Sequence, residues 1–342
     1  MLALVSRKEV ASLAGVSEAT VSRVLNKVGP IREETRLRVE DAAKQLGYVP
    51  SALAQQFARS RSGNLGVILP FVPKVHLFST YYFAEILSGI GEAAKQYGYD
   101  VLLIFREPSG SRDYARLFLA QKIDACIVLG AQNVPEEKKA LAELQEKGYP
   151  FCLVNQRFAE EGYLSIDADH HAGSYEAVKH LIDGGSRRIA FLNGPDVFSS
   201  SMDRMTGYKQ ALAYAGLAYD PSLTLLGNYS RKSGVEAAEA VAALIRSGQA
   251  DAVFAANDRM AIGLMDGLRA YGIEAGIDVK LVGYDDSEGS VIVSPKLTTV
   301  AVPFYEMGRR AAQRLLAPEK ELLEQAEEGL LPVHLIKRET SS

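Results

Sequence analysis

The sequence predicts a small all-α helix-turn-helix domain followed by an α/β body of two doubly wound parallel-sheet lobes. Three observations predict it. Residues 6–46 carry helix periodicity punctuated by capping residues, and from residue 65 onward short apolar runs alternate with amphipathic helical patterns. Charge divides at the same place: residues 1–62 hold ten Lys/Arg against six Asp/Glu, whereas the remainder holds 28 against 36. A chain of 342 residues, 47% hydrophobic and 23% charged, has the composition of a globular protein of two or three domains. A basic front on an acidic body points to a module that touches a polyanion, joined to a larger unit with another task.

The first helix opens at Ser6, with Glu9 three residues on to complete a capping box, and Val10, Leu13 and Ala14 form its apolar face. Gly15 supplies the turn and Ser17 caps a second helix over 18–26, whose inner positions are Val21, Val24 and Leu25. So short a turn between two helices is a helix-turn-helix, with the outward face of the second helix entering the DNA major groove. Glu18, Ala19 and Arg23 are placed for base edges, and Thr20, Ser22, Asn26 and Lys27 for phosphates, beside the Ser17 cap. A helical bundle that only dimerises or packs on the body is the alternative. A third helix over 33–46 ends at Gly47.

The runs Glu9-Val10-Ala11, Leu13-Ala14-Gly15-Val16-Ser17, Ala19-Thr20-Val21-Ser22-Arg23-Val24-Leu25-Asn26 and Leu46-Gly47-Tyr48-Val49-Pro50 resemble the DNA-binding domain of the lactose-repressor (LacI) family of transcription regulators. Arg32 departs from the Ser that commonly caps the third helix there. Residues 50–62 follow the domain of residues 1–49, and their one or two turns of potential helix are too short to stand alone in water. The resemblance makes this segment a hinge helix that orders in the minor groove, with Leu53 and Ala54 as contacts and Phe57 where the family usually wedges a Leu between base steps. A passive linker is the alternative.

In the body, residues 63–342, strands are expected at 65–69, 101–105, 126–129, 151–154, 189–192, 252–255 and 279–282, with helices at 83–97, 170–182, 204–215 and 260–271. Continuous apolar runs between helices indicate parallel sheets covered on both faces. About ten strands exceed one comfortable sheet, and the polar stretch 156–162 divides them. One lobe is therefore expected at 63–155 plus about 292–320, the other at 163–286 plus about 330–342. The resemblance extends over nearly the whole chain, through His180-Leu181-Ile182, Val282-Gly283-Tyr284-Asp285-Asp286 and Leu297-Thr298-Thr299-Val300, and implies a periplasmic-binding-protein-like core that clamps a small ligand.

Ligands of doubly wound sheets bind beyond the carboxyl ends of the strands. The polar residues there are Asn155, Asn193, Asn257 with Asp258, and Asp285 with Asp286, joined by Arg204 on the helix after Asn193. The resemblance assigns effector contact to Arg204, Asn257, Asp285 and Asn155, and stacking to Tyr82, Phe83 and Tyr229. It also marks Val302, where many relatives place Gln, and a long loop at 71–81. Asp258 and Asp286 read better as helix caps than as ligand contacts; Tyr82 and Phe83 compete with a core role, and Arg204 with a structural ion pair.

Enzyme chemistry finds no support. Gly89-Ile90-Gly91 lies inside a helix rather than after a strand, no phosphate loop or GxSxG elbow occurs, and Asp285-Asp286 face apart. His170-His171 point to different sides of a helix with no third metal ligand near, and Cys126 and Cys152 sit in apolar runs as core residues. No cofactor or metal is expected. The sequence shows no signal peptide or 20-residue apolar span, which predicts a cytoplasmic protein. The reading is a homodimeric repressor of carbohydrate-utilisation genes that binds a pseudo-palindromic operator and a sugar or short glycan. A regulator answering to a purine or a phosphoprotein is the runner-up, and a transport-associated sugar-binding protein and a sugar-acting enzyme are the rivals from other classes.

Overall fold

The structure, a computed structural model, describes residues 5–26, 28–49, 61–71, 77–107, 112–318, 321 and 329–342. Two units make it up, one of residues 1–63 with 121–124 and the other of residues 64–120 with 125–342.

In the first unit, Ser6 and Glu9 cap α1 (Arg7–Ala14) reciprocally, the Ser6 amide donating to the Glu9 carboxylate at 2.7 Å. Ser17 accepts from the Thr20 amide at 3.2 Å and starts α2 (Glu18–Leu25). α3 (Glu33–Leu46) has Arg32 at its N-cap with no side-chain bond there, and ends on Gly47. Val10, Val21 and Val39 are fully buried where the three helices meet. Leu13 is not on that face and is 51% exposed. The buried stripe of α1 is Val10, Ala11 and Ala14, and at about 100° per residue Leu13 falls roughly a sixth of a turn outside it. The carboxylate of Asp124 accepts the amides of Ser62 and Gly63 at 2.7 and 2.8 Å. The expected contacts Leu53, Ala54 and Phe57, and Lys27, lie outside the described residues.

The second unit contains two sheets. The first, in the order β2-β1-β3-β4-β5, is parallel throughout: β1 (Asn64–Pro70), β2 (Asp100–Arg106), β3 (Ala125–Leu129), β4 (Phe151–Val154) and β5 (Ser165–Ile166). Between these strands run α4 (Tyr81–Gln96), α5 (Ala115–Leu119) and α6 (Pro135–Glu146). The second sheet has the order β11-β10-β9-β8-β6-β7 and is parallel except at β11. Its strands are β6 (Ile189–Asn193), β7 (Thr224–Leu226), β8 (Ala252–Ala255), β9 (Lys280–Asp285), β10 (Thr298–Ala301) and β11 (His334–Ile336). Its helices are α7 (His170–Asp183), α8 (Ser199–Tyr214), α9 (Arg231–Arg246), α10 (Asp258–Arg269) and the short α11 (Gly289–Ile292). α12 (Phe304–Leu316) packs back on α4 and on β3, β4 and β5.

The chain passes between sheets at other points than the polar stretch indicated. β5 pairs with β4, so the first sheet runs on to Ile166, and β10 pairs with β9, so the segment after 292 belongs first to the second sheet. The run 101–105 is likewise not the covered strand its apolarity predicts. β2 lies at the sheet edge, paired on one side only, and Val101, Leu102, Leu103 and Phe105 are 36–46% exposed. The glycines of α4 have a packing role: a Cβ on Gly89 would collide with the Tyr305 carbonyl, and one on Gly308 with that of Ile86, so α4 and α12 approach backbone to backbone. Cys126 and Cys152 are fully buried, and burial pushes both thiols up, Cys152 to about 12. Among the described residues no helix is long and apolar enough to cross a membrane and no acidic, His or Cys cluster could hold a metal ion.

Candidate functional site

On α2 the side chains of Glu18, Ala19 and Arg23 are exposed, with Ser22 half-buried between them. Glu18 pairs with Arg7 at 3.5 Å. The Ser17 hydroxyl is shared with that of Thr20 at 2.9 Å, and Asn26 Nδ2 donates to Ser22 Oγ at 3.2 Å, so these hydroxyls are oriented by neighbours on their own helix. The Arg23 guanidinium lies over the turn at Gly29, where an added Cβ would meet Nη2 at 2.9 Å. The surface therefore offers one acid, one base and three hydroxyls along a single exposed helix face, chemistry suited to base edges and phosphates.

The second cluster sits at the carboxyl ends of β4, β6, β7, β8 and β9. Four non-glycine residues there have left-handed backbones: Asn155 (φ 59°), Tyr229 (65°), Asp285 (111°) and Asp286 (55°). Such conformations cost about 1–3 kcal/mol each and persist where their surroundings enforce them, typically at functional sites. Arg204 of α8 is 3% exposed, its guanidinium 4.1 Å from the Tyr284 ring centre. Nη1 donates to the Tyr229 hydroxyl at 3.4 Å and Nη2 reaches His170 Nδ1 at 3.3 Å, while the buried Nε has no partner among the described residues. Asp285 is 9% exposed and its carboxyl makes no hydrogen bond to a described residue. Burial pushes that carboxyl well above its ordinary range, against the pull of Arg204 and Arg259 and with the push of Asp258. An unpaired donor beside an unpaired carboxyl suits a group that donates and accepts at once, which describes a hydroxyl.

Aromatic walls stand around this pair. Tyr229 shares a hydrogen bond with the Ser201 hydroxyl and packs 5.9 Å from Phe198, and Gly194 leaves room for its ring, which any Cβ there would strike. Tyr82 and Phe83, both half-buried, meet edge to face at 4.8 Å, and Tyr82 lies 5.1 Å from Phe304. Burial raises the Tyr82 phenol, as does the charge of Asp167 and Asp285, against a hydrogen bond from Asn155. Val302 is buried and apolar at the end of β10.

Several expected polar residues are committed within the chain. Asn257 caps α10, accepting from Met260 at 2.9 Å, and its amide donates to the Tyr229 carbonyl at 3.1 Å. Asn193 donates to Ser201 at 3.1 Å and accepts from Gly194 at 2.8 Å. Asn155 accepts from His170 Nε2 at 2.6 Å. Asp258 and Asp286 do not cap helices, contrary to the expectation from sequence: Asn257 and Glu288 hold the cap positions. Asp258, fully buried, accepts the Thr299 hydroxyl at 2.6 Å and the Ser287 amide at 2.7 Å, and burial lifts its carboxyl to about 7. Asp286 takes Arg338 Nη2 at 2.7 Å. Both tie strand ends together, because a helix N-terminus that already has Asn257 needs no second cap. His170 was the residue that sequence reasoning missed. Its signal was position, in the polar run Asp167-Ala168-Asp169-His170 directly after a strand end.

Known proteins resemble this chain in sequence and in fold. Residues 7–51 match the lacI family of bacterial regulatory proteins, and residues 178–341 match a periplasmic binding protein-like domain. The chain is 33% identical to the HTH-type transcriptional regulator RegA of Clostridium saccharobutylicum over 98% of its own length and 99% of that protein. The lac repressor dimer bound to operator and the anti-inducer ONPF has a TM-score of 0.83 at 30% identity, and the complex of the transcriptional regulator CelR with cellobiose one of 0.71 at 32%; each covers 98% of this chain and 99% of its own. A helix-turn-helix unit, a body of two parallel-sheet lobes and relatives that are regulators over their full length leave one assignment: the chain belongs to the lacI family of bacterial regulatory proteins, and is a DNA-binding transcription regulator rather than an enzyme.

Proposed function

We propose that this regulator is a homodimeric repressor that reads a pseudo-palindromic operator and releases or tightens its grip as a sugar or short glycan binds between the two lobes. The observation that carries the sugar reading is the pair of Arg204, with its buried unpartnered Nε, and Asp285, with its unpaired carboxyl, framed by Tyr82, Tyr229 and Tyr284. Neighbouring ring hydroxyls satisfy both groups at once, and the half-buried Tyr82 and Tyr229 rings accept the apolar face of a pyranose. The likeness to a CelR–cellobiose complex supports the same class. In this reading Phe83 and Asn155 complete the wall, and Asn257 acts by holding Tyr229.

Operator contact falls to Ser17, Glu18, Ala19, Thr20, Ser22, Arg23 and Asn26, with Leu53, Ala54 and Phe57 in the minor groove. The likeness to an operator-bound lac repressor dimer supports two copies on one duplex, and so does the exposed apolar edge of β2, where Phe105 clusters with Phe71 at 6.4 Å and Phe78 at 6.2 Å. Acting on operator DNA places the protein in the cytoplasm. Effector control then amounts to the difference in sugar affinity between the DNA-competent and DNA-incompetent states.

A thermal-shift screen of mono- and oligosaccharides, with purine bases as a second arm, tests the reading. A sugar is expected to raise Tm in the wild type and not in Arg204→Ala. Stabilisation by a purine alone, or by no sugar, overturns it.

A further inference from the structure

We propose that His170 is a positioning residue, held as its neutral Nε2–H tautomer, that links the effector-facing Arg204 of the second lobe to Asn155 at the end of the first sheet. The inference rests on the reading of Arg204 as an effector contact and goes beyond it by naming how the other lobe senses what Arg204 holds. His170 is fully buried at the N-terminus of α7. A guanidinium can only donate, so the 3.3 Å approach of Arg204 Nη2 to His170 Nδ1 requires a bare lone pair on Nδ1. The Tyr284 hydroxyl reaches the same nitrogen at 3.3 Å. The ring hydrogen is thereby left on Nε2, and two acceptors lie there: Asn155 Oδ1 at 2.6 Å and Asp167 Oδ1 at 3.4 Å. Turning the Asn155 amide over would present an N–H to Nε2, and no neutral tautomer could then serve both sides. Arg204, His170 and Asn155 therefore form one chain of bonds with a single consistent proton arrangement, running from the second lobe to the first.

The segment after Asn155 is fastened to the same helix that carries Arg204. Ser199 donates its amide to Gln156 at 2.9 Å, and its hydroxyl accepts the Arg157 amide at 2.9 Å. A shift of Arg204 on binding a ligand thus acts on the first sheet through two routes, of which only the His170 route includes the effector-facing guanidinium itself. The titratable groups acting on the ring are Asp167 beyond β5, Asp203 and Arg204 on α8, and Tyr284 on β9, with Arg157 paired to Asp167 at 2.9 Å and Asp169 at the α7 cap acting on Tyr284. Desolvation and the Arg204 charge hold the imidazole below its ordinary value, against the pull of Asp167 and Asp203.

Two substitutions separate the two sides of the ring. In His170→Asn the short amide oxygen replaces Nδ1 but cannot reach Asn155; in His170→Gln the longer amide reaches Asn155 but leaves Arg204 without its acceptor. The probe is the sugar that stabilises the wild type in the screen above, and the readouts on the full-length chain are sugar Kd and the ratio of operator affinities with and without sugar. His170→Asn is expected to keep the sugar Kd within about threefold while the operator ratio collapses toward one. His170→Gln is expected to weaken sugar binding tenfold or more. A sugar that binds both variants like the wild type, with the operator ratio intact, overturns the role of His170 alone; the absence of any stabilising sugar overturns the Arg204 reading and this one with it. Imidazole nitrogen NMR on the wild type decides the matter independently of variant folding: an Nε2–H neutral ring at pH 7 is required, and an Nδ1–H or doubly protonated ring overturns the proposal.

Discussion

The side-chain amide of Asn257 donates to the main-chain oxygen of Tyr229 at 3.1 Å, so the residue that caps α10 also holds the left-handed turn presenting the Tyr229 ring. The two duties use different atoms, oxygen for the cap and nitrogen for the turn. Asn257→Asp keeps the cap and loses the donor, whereas Asn257→Ala loses both. Asn257→Ala should therefore cost about 1 kcal/mol of stability through the cap, and Asn257→Asp, which keeps the cap but turns a carboxylate oxygen toward the Tyr229 carbonyl, should be destabilising as well. Both should weaken sugar binding severalfold. Urea unfolding paired with sugar titration checks this, and full sugar affinity in Asn257→Asp would count against the positioning role.

Gly89→Ala tests the backbone contact of α4 with α12. The new methyl meets the Tyr305 carbonyl rather than a side chain that could swing aside. Overpacking of this kind costs typically 1–3 kcal/mol. Calorimetry should show a lowered Tm for the body, and an unchanged Tm would mean the helices separate freely.

Asp258 sets a pH dependence whose sign follows from its raised carboxyl. Folded at about 7 against an ordinary 3.8, the group binds more protons in the native than in the unfolded state between those values. Its contribution to stability is full below about 4 and is lost as pH rises through 7. His170 works oppositely: its imidazole is held down in the fold, so its share is present above the ordinary value of 6.5 and is lost on acidification. Comparing wild type with Asp258→Asn by urea unfolding from pH 4 to 8 reads the effect of Asp258 together with its push on Asp285. The wild type should lose stability relative to the variant as pH rises, and parallel curves would contradict a raised carboxyl.

Arg23→Ala tests the reading face of α2. Arg pairs with guanine at two points, and each such pair discriminates by roughly 1–3 kcal/mol. Binding to a randomised duplex pool should show relaxed choice at one symmetric base position with the others retained. A uniform loss of affinity across all sequences would make Arg23 a phosphate contact instead.

What the sequence disclosed were the features that local chemistry fixes. Ser6 with Glu9 and the Ser17 cap declare helix starts because their hydrogen bonds span three residues, and the apolar runs of β1, β3 and β4 mark strands because both their faces are buried. Tertiary position was hidden. The run at β2 reads like its neighbours, yet it lies at an edge, and nothing in apolarity tells an edge from a centre. Leu13 illustrates a shorter-range limit, since an eight-residue helix holds too few turns to fix the centre of its buried stripe. At the candidate site the strand-end rule located Asn155, Asn257, Asp258 and Asp285, whereas the roles of the first three depend on bonds to His170, Tyr229 and Thr299 that join distant segments. Asp258 looked like a cap because it begins a helix, but its neighbour already fills that place.

Operator affinity measured against sugar occupancy, at one fixed ionic strength, probes the central claim most directly. The account predicts that saturating sugar changes the Kd for the preferred duplex at least tenfold in the wild type and less than twofold in Arg204→Ala, with sugar-free affinity alike in both. An operator affinity indifferent to saturating sugar in the wild type, or an undiminished response in Arg204→Ala, would contradict it.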